Sequence, residues 1–546
     1  MSTSTLHPQE KTPMSKQVSF KDFSAKDGPL THVEIRDQIP LPPPFDKLDE
    51  EPAVPPLSEA ATSKYVVLDD TIALNLPKPA TKEDEERLVN GFLDGMRKCF
   101  TENDNWAFLQ PLVMSTEHCA HCQTCSEACP IFEESGHNEL YRPSFRSEIF
   151  RRIYWKYVKG ASTWVHGDID LNWKTVARLI ELAYRCNVCR RCAQTCPIGV
   201  DNALLAREIR KIASMNLGIS SRECHDNGSV LQIKVGSSTG MNSLVVKDNM
   251  DFIDEDTTDK TGIEIHTPWD VEGADILLIH NAGEIMAWPE NPGAFALLFE
   301  KAGLSWTLSS ELAAYDGINY GVWYDDVQFA RVALKHMQAA KKLGVKRVVI
   351  GECGHAHKAL TVIADKVITG DLNIPRESAL TVLLEIVRSG KIKFDKSRND
   401  FPVTLHDPCN MVRLMGIVEP QREILRAIVP EHRFREMTPH GVHNYCCGGG
   451  SGFAIMSGHN FKDWRHHLTG RRKFRQILDA FGNEPMDKEH PKYVCAPCSN
   501  CKGQIRDILS YYNAWETAGI LYGGLVELMV NAMVDAKPNY VDWEWH

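Results

Sequence analysis

Cys119-Ala-His-Cys122-Gln-Thr-Cys125-Ser-Glu-Ala-Cys129-Pro130 and Cys186-Asn-Val-Cys189-Arg-Arg-Cys192-Ala-Gln-Thr-Cys196-Pro197 are two copies of one pattern. This is the spacing in which three thiolates wrap one 4Fe–4S cubane and the fourth ligates the neighbouring one. Cys119, Cys122, Cys125 and Cys196 therefore read as the ligands of a first cluster. Cys186, Cys189, Cys192 and Cys129 read as those of a second. Zinc stops at four ligands and has no use for the proline after each fourth cysteine. A chain this long needs no disulfide staples to complete its core. Two adjacent cubanes form a short wire for single electrons, so the sequence predicts electron transfer.

The chain has 546 residues, enough for two or three domains, and its 43% hydrophobic and 24% charged residues are ordinary for a globular protein. A net charge of -11 argues against a nucleic-acid partner. Seventeen cysteines, mostly in ligand spacings, predict a reducing compartment. The opening MSTSTLHPQEKTP lacks the apolar core of a secretory signal. The most apolar stretch, Ala518 to Val534, carries Glu527 and Asn531 and reads as a buried or partner-facing helix, not a span. Contact with a membrane is then expected to go through another subunit.

Residues 1–80 are polar and Pro-rich, with Pro40, Pro42, Pro43 and Pro44 in one run, and predict an extended arm, either floppy or ordered along a partner. Residues 81–218 read as helical. Thr81 and Asp84 open a helix with Leu88, Phe92, Met96 and Phe100 at i, i+4 spacing, and Cys99 belongs to its core. Between the cysteine motifs, helices are expected near Phe145 to Tyr157 and Trp173 to Tyr184; another, Asn202 to Asn216, stops at Gly218. Residues 219–270 are turn-rich and read as a linker with a hairpin. From Asp275 the pattern alternates, with strands at Asp275–His280 and Val345–Ile350 and helices at Ala294–Ala302 and Asp325–Leu343. The fold class is α+β multidomain, an all-helical ferredoxin domain with two cubane clusters followed by a duplicated α/β domain.

The α/β region is written twice, as residues 271–395 and 396–546. Leu278-Ile-His-Asn-Ala-Gly283 corresponds to Thr404-Leu-His-Asp-Pro-Cys409, and Tyr315-Asp316-Gly317 to Cys446-Cys447-Gly448. The segment Gly351-Glu-Cys353-Gly-His-Ala356 corresponds to Ala496-Pro-Cys498-Ser-Asn-Cys501. The second copy offers five thiols, Cys409, Cys446, Cys447, Cys498 and Cys501, too many for one tetrahedral zinc. Gly448, Gly449, Gly450 and Gly452 follow the Cys-Cys pair, and their N–H groups can approach a bulky inorganic group. Cys495 makes the last pairing ambiguous; Cys498 and Cys501 are preferred, with Cys353 and Cys495 as further thiols beside the set.

These residues resemble the cysteine-rich CCG domain of heterodisulfide reductases, from about residue 80 to 520 including the two-cubane module. The resemblance implies that the five cysteines hold a noncubane 4Fe–4S cluster, the third in the chain, where a disulfide is cleaved. Full heterodisulfide reductases carry two intact motifs, whereas this chain carries one. That departure resembles the heterodisulfide-reductase-like subunit of the membrane complex associated with dissimilatory sulfite reductase. The resemblance implies a haem b membrane subunit and other subunits of a quinone-linked complex as partners. It also implies a small sulfur-carrier protein, bearing a disulfide or trisulfide, as substrate. The site would lie on the cytoplasmic side of the membrane, held there through those subunits. The iron–sulfur subunits of glycolate, lactate or glycerol-3-phosphate dehydrogenases join similar modules and give a second reading; a relay subunit without a substrate gives a third.

Cleaving a disulfide takes two electrons and two protons, and a thiol leaves faster when its charge is neutralised. His406 and His443, each three residues before a motif cysteine, are the first choices for proton donor, ahead of His355 and His440. Arg413 and Lys502, beside motif cysteines, are the expected counter-charges.

Overall fold

A computed structural model describes residues 17–26, 30, 32–47, 50–105, 108–456, 461–541 and 543. The expected helices are present around the paired cysteine motifs. Thr81 accepts a hydrogen bond from the Asp84 amide and starts Lys82–Cys99, which buries Leu88, Phe92, Met96 and Cys99. Trp173–Tyr184 and Asn202–Leu217, the latter closed by the left-handed Gly218, pack on it and on Pro143–Ile153. Aromatic and aliphatic side chains of these helices form one continuous core with one face of the first α/β repeat, through Val322, Trp323, Phe329 and Val348.

Each α/β repeat is a four-stranded, all-parallel sheet. In the first, β1 (Ile276–Ile279), β2 (Trp306–Thr307), β3 (Arg347–Ile350) and β4 (Arg376–Ser378) lie in the order β2-β1-β3-β4. In the second, β5 (Val403–Leu405), β6 (Phe434–Arg435), β7 (Lys492–Cys495) and β8 (Ile520–Gly523) lie in the order β6-β5-β7-β8. The registers agree as well. Ile279 pairs with Ile350 and Leu405 with Cys495, so Cys353 and Cys498 occupy the same place, three residues beyond equivalent strand ends.

Three sequence expectations are corrected. The stretch expected to be a linker with a hairpin is helical: residues 222–235 form a helix with a π-turn in its middle, and Ser243–Thr261 is a long helix burying Val246, Met250 and Ile253. The exposed Leu244, Val245 and Phe252 blur the i, i+4, i+7 spacing of Val246, Met250 and Ile253. The apolar stretch at Ala518 holds β8 and the helix Leu525–Ala532: Gly519, at φ +64°, ends the helix before it, and the extended Gly524 divides strand from helix. Among the described residues no helix is long and apolar enough to cross a membrane.

The N-terminal arm folds back on its own chain. Phe23 is buried, Phe20 stacks on Phe145 at 4.9 Å, and Arg178 donates to the Phe23 carbonyl at 2.7 Å. Beside the proline run, Leu41 and Phe45 enter the core of the second repeat, Phe45 meeting Phe474 edge-on at 5.1 Å. Arg475 donates to the Ile39 carbonyl at 3.0 Å and Gln38 to that of His467 at 2.8 Å. The expectation of a floppy or partner-borne arm fails for these residues because a few large apolar side chains suffice to anchor a Pro-rich strap. Residues 1–16 of the expected arm lie outside the described residues.

Candidate metal centre

The two ferredoxin motifs adopt one backbone path. His121 and Gln123 in the first, and Val188 and Arg190 in the second, all have φ between +50° and +67°, at matching positions after the leading cysteine. A left-handed conformation is costly for a β-branched residue such as Val188, and it persists only where the surroundings over-determine it. Here it turns the loop back on itself so that the first two cysteines of each motif precede, and the third lies within, the short helices Thr124–Glu127 and Arg191–Gln194. One cavity is lined by Cys129, Cys186, Cys189 and Cys192. Cys125 meanwhile lies in the electrostatic field of Cys119 and Cys196. Cys129 of the first motif thus stands beside the first three cysteines of the second, and Cys196 of the second lies near Cys125 of the first. Burial pushes the Cys129 thiol up to about 12, and a thiol so reluctant to ionise becomes a ligand only against a strongly cationic partner. Four inward thiols around one cavity fit a 4Fe–4S group.

The five cysteines of the second repeat converge beyond the ends of β5 and β7. Cys446 is within hydrogen-bonding reach of Cys409 and Cys447, and Cys501 of Cys447 and Cys498, so the sulfurs form one continuous set. The Gly448 and Gly449 amides donate to the sulfurs of Cys446 and Cys447, each at 3.4 Å. Gly448 has φ +100°, and a Cβ there would meet the Gly470 backbone at 2.6 Å. Cys495 ends β7 on the opposite face of the sheet, in the core with Leu405 and Tyr493, while Cys498 and Cys501 share the core of Cys446 and Cys447. Cys353 lies beside the set: a Cβ on the adjacent Gly354 would meet the Cys498 sulfur at 2.9 Å. Burial pushes Cys353 up to about 12.

The site adjoins the second ferredoxin motif directly. Cys446 also reaches Cys189, which that hydrogen bond lowers to about 6 against the effect of burial. Asn187 donates to the Gly448 carbonyl at 2.7 Å, and Arg191 to that of His443 at 2.7 Å. Arg413, an expected counter-charge, spans the junction: it donates to the carbonyls of Cys189 at 2.7 Å and of Val442 and Asn444 at 2.9 Å. The first motif is farther out, with Cys122 exposed and Cys119 lining a surface cleft with His121 and Arg152.

The histidines separate. His406 is buried at the end of β5 with neither ring nitrogen hydrogen-bonded to oxygen or nitrogen, and it groups with Cys447 and Cys501. Burial holds its basicity down, partly offset by the Cys447 sulfur. His355 is equally buried, between Trp323 and Tyr320, with both nitrogens unpaired, and burial lowers it to about 3. His443 and His440 are exposed. His443 ends the turn Gly441–His443, its side chain exposed and its carbonyl accepting from Arg191.

Lys502 does not face the cysteines. Its ammonium is buried among Glu284 at 3.4 Å, Glu527 at 3.6 Å and Glu352 at 4.0 Å, on the side of the first repeat. Helical geometry turns it about 100° from Cys501, a consequence of 3.6 residues per turn. A cation that sequence reading missed, Lys473, occupies the thiol side instead. It is fully buried, and burial lowers it to about 7 while Cys447, Asp407, Cys446 and Cys501 pull it back up. Its run, Arg471-Arg-Lys-Phe-Arg475, reads as a solvated basic face, so no sequence signal marked it.

In the first repeat the equivalent place is filled. The Asp316 carboxylate, standing where Cys447 stands in the second, accepts from the amides of Ala282, Ile318 and Ser238 and from the Ser238 hydroxyl, at 2.7–3.1 Å. Tyr315 donates to the Val235 carbonyl at 3.0 Å. The segment from residue 222 to Ser238 therefore seals the worn site.

A 4Fe–4S dicluster domain model matches residues 115–200 and a cysteine-rich domain model residues 403–506. Together with the fold, they define an iron–sulfur oxidoreductase subunit with a ferredoxin domain followed by a cysteine-rich domain. The chain is 28% identical over 497 residues to the Hdr-like menaquinol oxidoreductase iron-sulfur subunit 2 of Archaeoglobus fulgidus, covering 81% of this chain and 83% of that one. It is 26% identical to the Hdr-like menaquinol oxidoreductase iron-sulfur subunit of Archaeoglobus profundus, covering 76% and 79%. It is 25% identical to one subunit of the dihydromethanophenazine:CoB–CoM heterodisulfide reductase of Methanosarcina acetivorans, covering 62% and 79%. The chain is thus similar to heterodisulfide-reductase-like iron–sulfur subunits over most of its length.

Proposed function

We propose that this chain passes electrons from a quinone-linked membrane complex through two cubane clusters to a noncubane cluster, where a disulfide or trisulfide on a small sulfur-carrier protein is reduced. The observation that carries this reading is the contact of Cys189 with Cys446, which puts the wire in touch with the five-cysteine site. When bound, the clusters supply one-electron carriers and, at the five cysteines, a metal that takes a substrate sulfur.

The ligands would be Cys119, Cys122, Cys125 and Cys196; Cys186, Cys189, Cys192 and Cys129; and Cys409, Cys446, Cys447, Cys498 and Cys501. The first set, which includes the exposed Cys122, would hold the group nearer the surface, and the second, through Cys189, would hold the one beside the five cysteines. At the five cysteines the Gly448 and Gly449 amides hold sulfur charge, and Arg413 fixes the junction. His406, with free nitrogens facing Cys447, carries a proton toward the departing thiol, so that RSSR′ with two electrons and two protons yields RSH and R′SH. The absence of a spanning helix among the described residues fits peripheral attachment through a haem b subunit on the cytoplasmic side. Anaerobic protein should contain about twelve irons and give a paramagnetic signal on thiol oxidant that responds to added disulfide. About eight irons, with no such signal, would remove the noncubane site and the catalytic reading together.

A further inference from the structure

The helix Arg471–Ala480 divides its basic residues between two jobs. Arg471 and Arg475 pair with Glu134 at 3.0 and 2.8 Å, and Arg472 with Glu133 at 3.0 Å, tying the second repeat to the ferredoxin domain. Lys473 turns the other way, into the interior, with no exposed surface. Its ammonium donates to the side-chain carbonyls of Asn444, at 2.9 Å, and Gln476, and to the Met437 sulfur at 3.5 Å. All three acceptors are neutral.

Taking an ammonium out of water is costly unless an anion compensates. Among the described residues no carboxylate forms an ion pair with Lys473. Asp407, the acid in its field, is already held by Arg422 through two contacts, at 2.7 and 2.9 Å, and by the Gly441 amide at 2.6 Å. What remains is sulfur: Cys446, Cys447 and Cys501 lie in the field of the ammonium, and Asn444, its acceptor, stands two residues before Cys446. A buried ammonium whose hydrogen-bond acceptors are all neutral gains compensation when the nearby thiols are ionised and ligating.

We propose that Lys473 is a positioning residue of the five-cysteine site, the interior counter-charge that favours the thiolate set and sets how readily the group it holds accepts an electron. This rests on the cluster reading given under Proposed function. Each added electron makes that group more anionic, and a fixed cation beneath it favours the reduced state. The cation also has no exposed path, so salt cannot screen it.

The test is a redox titration of anaerobic full-length protein followed by EPR, with the two cubane signals as internal controls. Lys473→Met should lower the reduced-to-oxidised ratio of the third signal about tenfold at fixed potential, about 59 mV for a one-electron couple. The cubane signals should not move, and Lys473→Arg should restore most of the ratio. A purely structural lysine would lower thermal stability in both variants without moving the potential; a Met variant that titrates like the unaltered protein overturns the proposal. If Lys473→Met holds no iron at this site, Lys473→Gln carries the measurement, and a Gln variant with the original ratio overturns it equally. Unaltered protein that shows no third signal would instead overturn the cluster reading itself.

Discussion

The two α/β repeats have the same strand order, the same register and a histidine at the same strand end, yet opposite interiors. In the second, five thiols converge, with His406 beside Cys447 and the buried Lys473 around them. In the first, Asp316 and Tyr315 stand where the Cys-Cys pair would be, and both are tied down by the segment that runs from residue 222 to Ser238. A scaffold built to surround a large polar group cannot be left hollow, because its inward amides need acceptors. The first repeat satisfies them with its own side chains. The second turns its thiols chiefly toward one another. A thiol set in one half thus stands beside a fully hydrogen-bonded equivalent in the other.

The sharpest break of this comparison is Cys447→Ser. Cys447 is the central sulfur of the set, so iron affinity at the five cysteines should fall by more than the roughly 10–100-fold that follows loss of a group merely supporting a ligand. The ferredoxin cubanes should remain reducible. Retained disulfide turnover in this variant would sink the assignment of catalysis to the second repeat.

Asp316→Ala probes the other half. It leaves three amides and a hydroxyl without their acceptor in a buried place, so unfolding free energy should drop by about 3 kcal/mol, measured by denaturant titration. The iron content of the second repeat should be unchanged. A loss of iron there would mean that the two interiors are not independent.

The smallest effect concerns the carboxylates around Lys502, at the boundary between repeats. Burial raises Glu284 to about 7 and Glu352 to about 8. Both exceed the unfolded value of about 4.3. The native chain therefore holds protons that the unfolded chain releases, so their contribution is full below pH about 4.3 and is lost as pH rises through about 7 to 8. Glu284→Gln should flatten the fall in Tm across that window. An unaltered Tm–pH slope would show that Glu284 is ionised throughout and that Lys502 neutralises it.

Much was legible in one dimension. The ferredoxin cysteines, the duplicated α/β rhythm and the five-thiol set all follow from spacing, because metal ligation and strand–helix alternation impose local periods. The caps at Thr81 and Gly218 are local too. Other features had no local period to betray them. Leu41 and Phe45 anchor the Pro-rich strap through contacts with residues far along the chain, such as Phe474. His443 and Lys502 sit at suggestive spacings, yet the turn before Cys446 and the twist of one helical step point them elsewhere.

The sequence by itself determined what chemistry this protein can hold, since thiols at these intervals and glycines after a Cys-Cys pair have few other uses. Only the tertiary structure decided which groups serve that chemistry. It placed Cys189 against Cys446, His406 against Cys447 and Lys473 beneath them, and it filled the twin site with Asp316. The physical reason is that ligand spacing is written along the chain, whereas charge, burial and proton access depend on what packs across it.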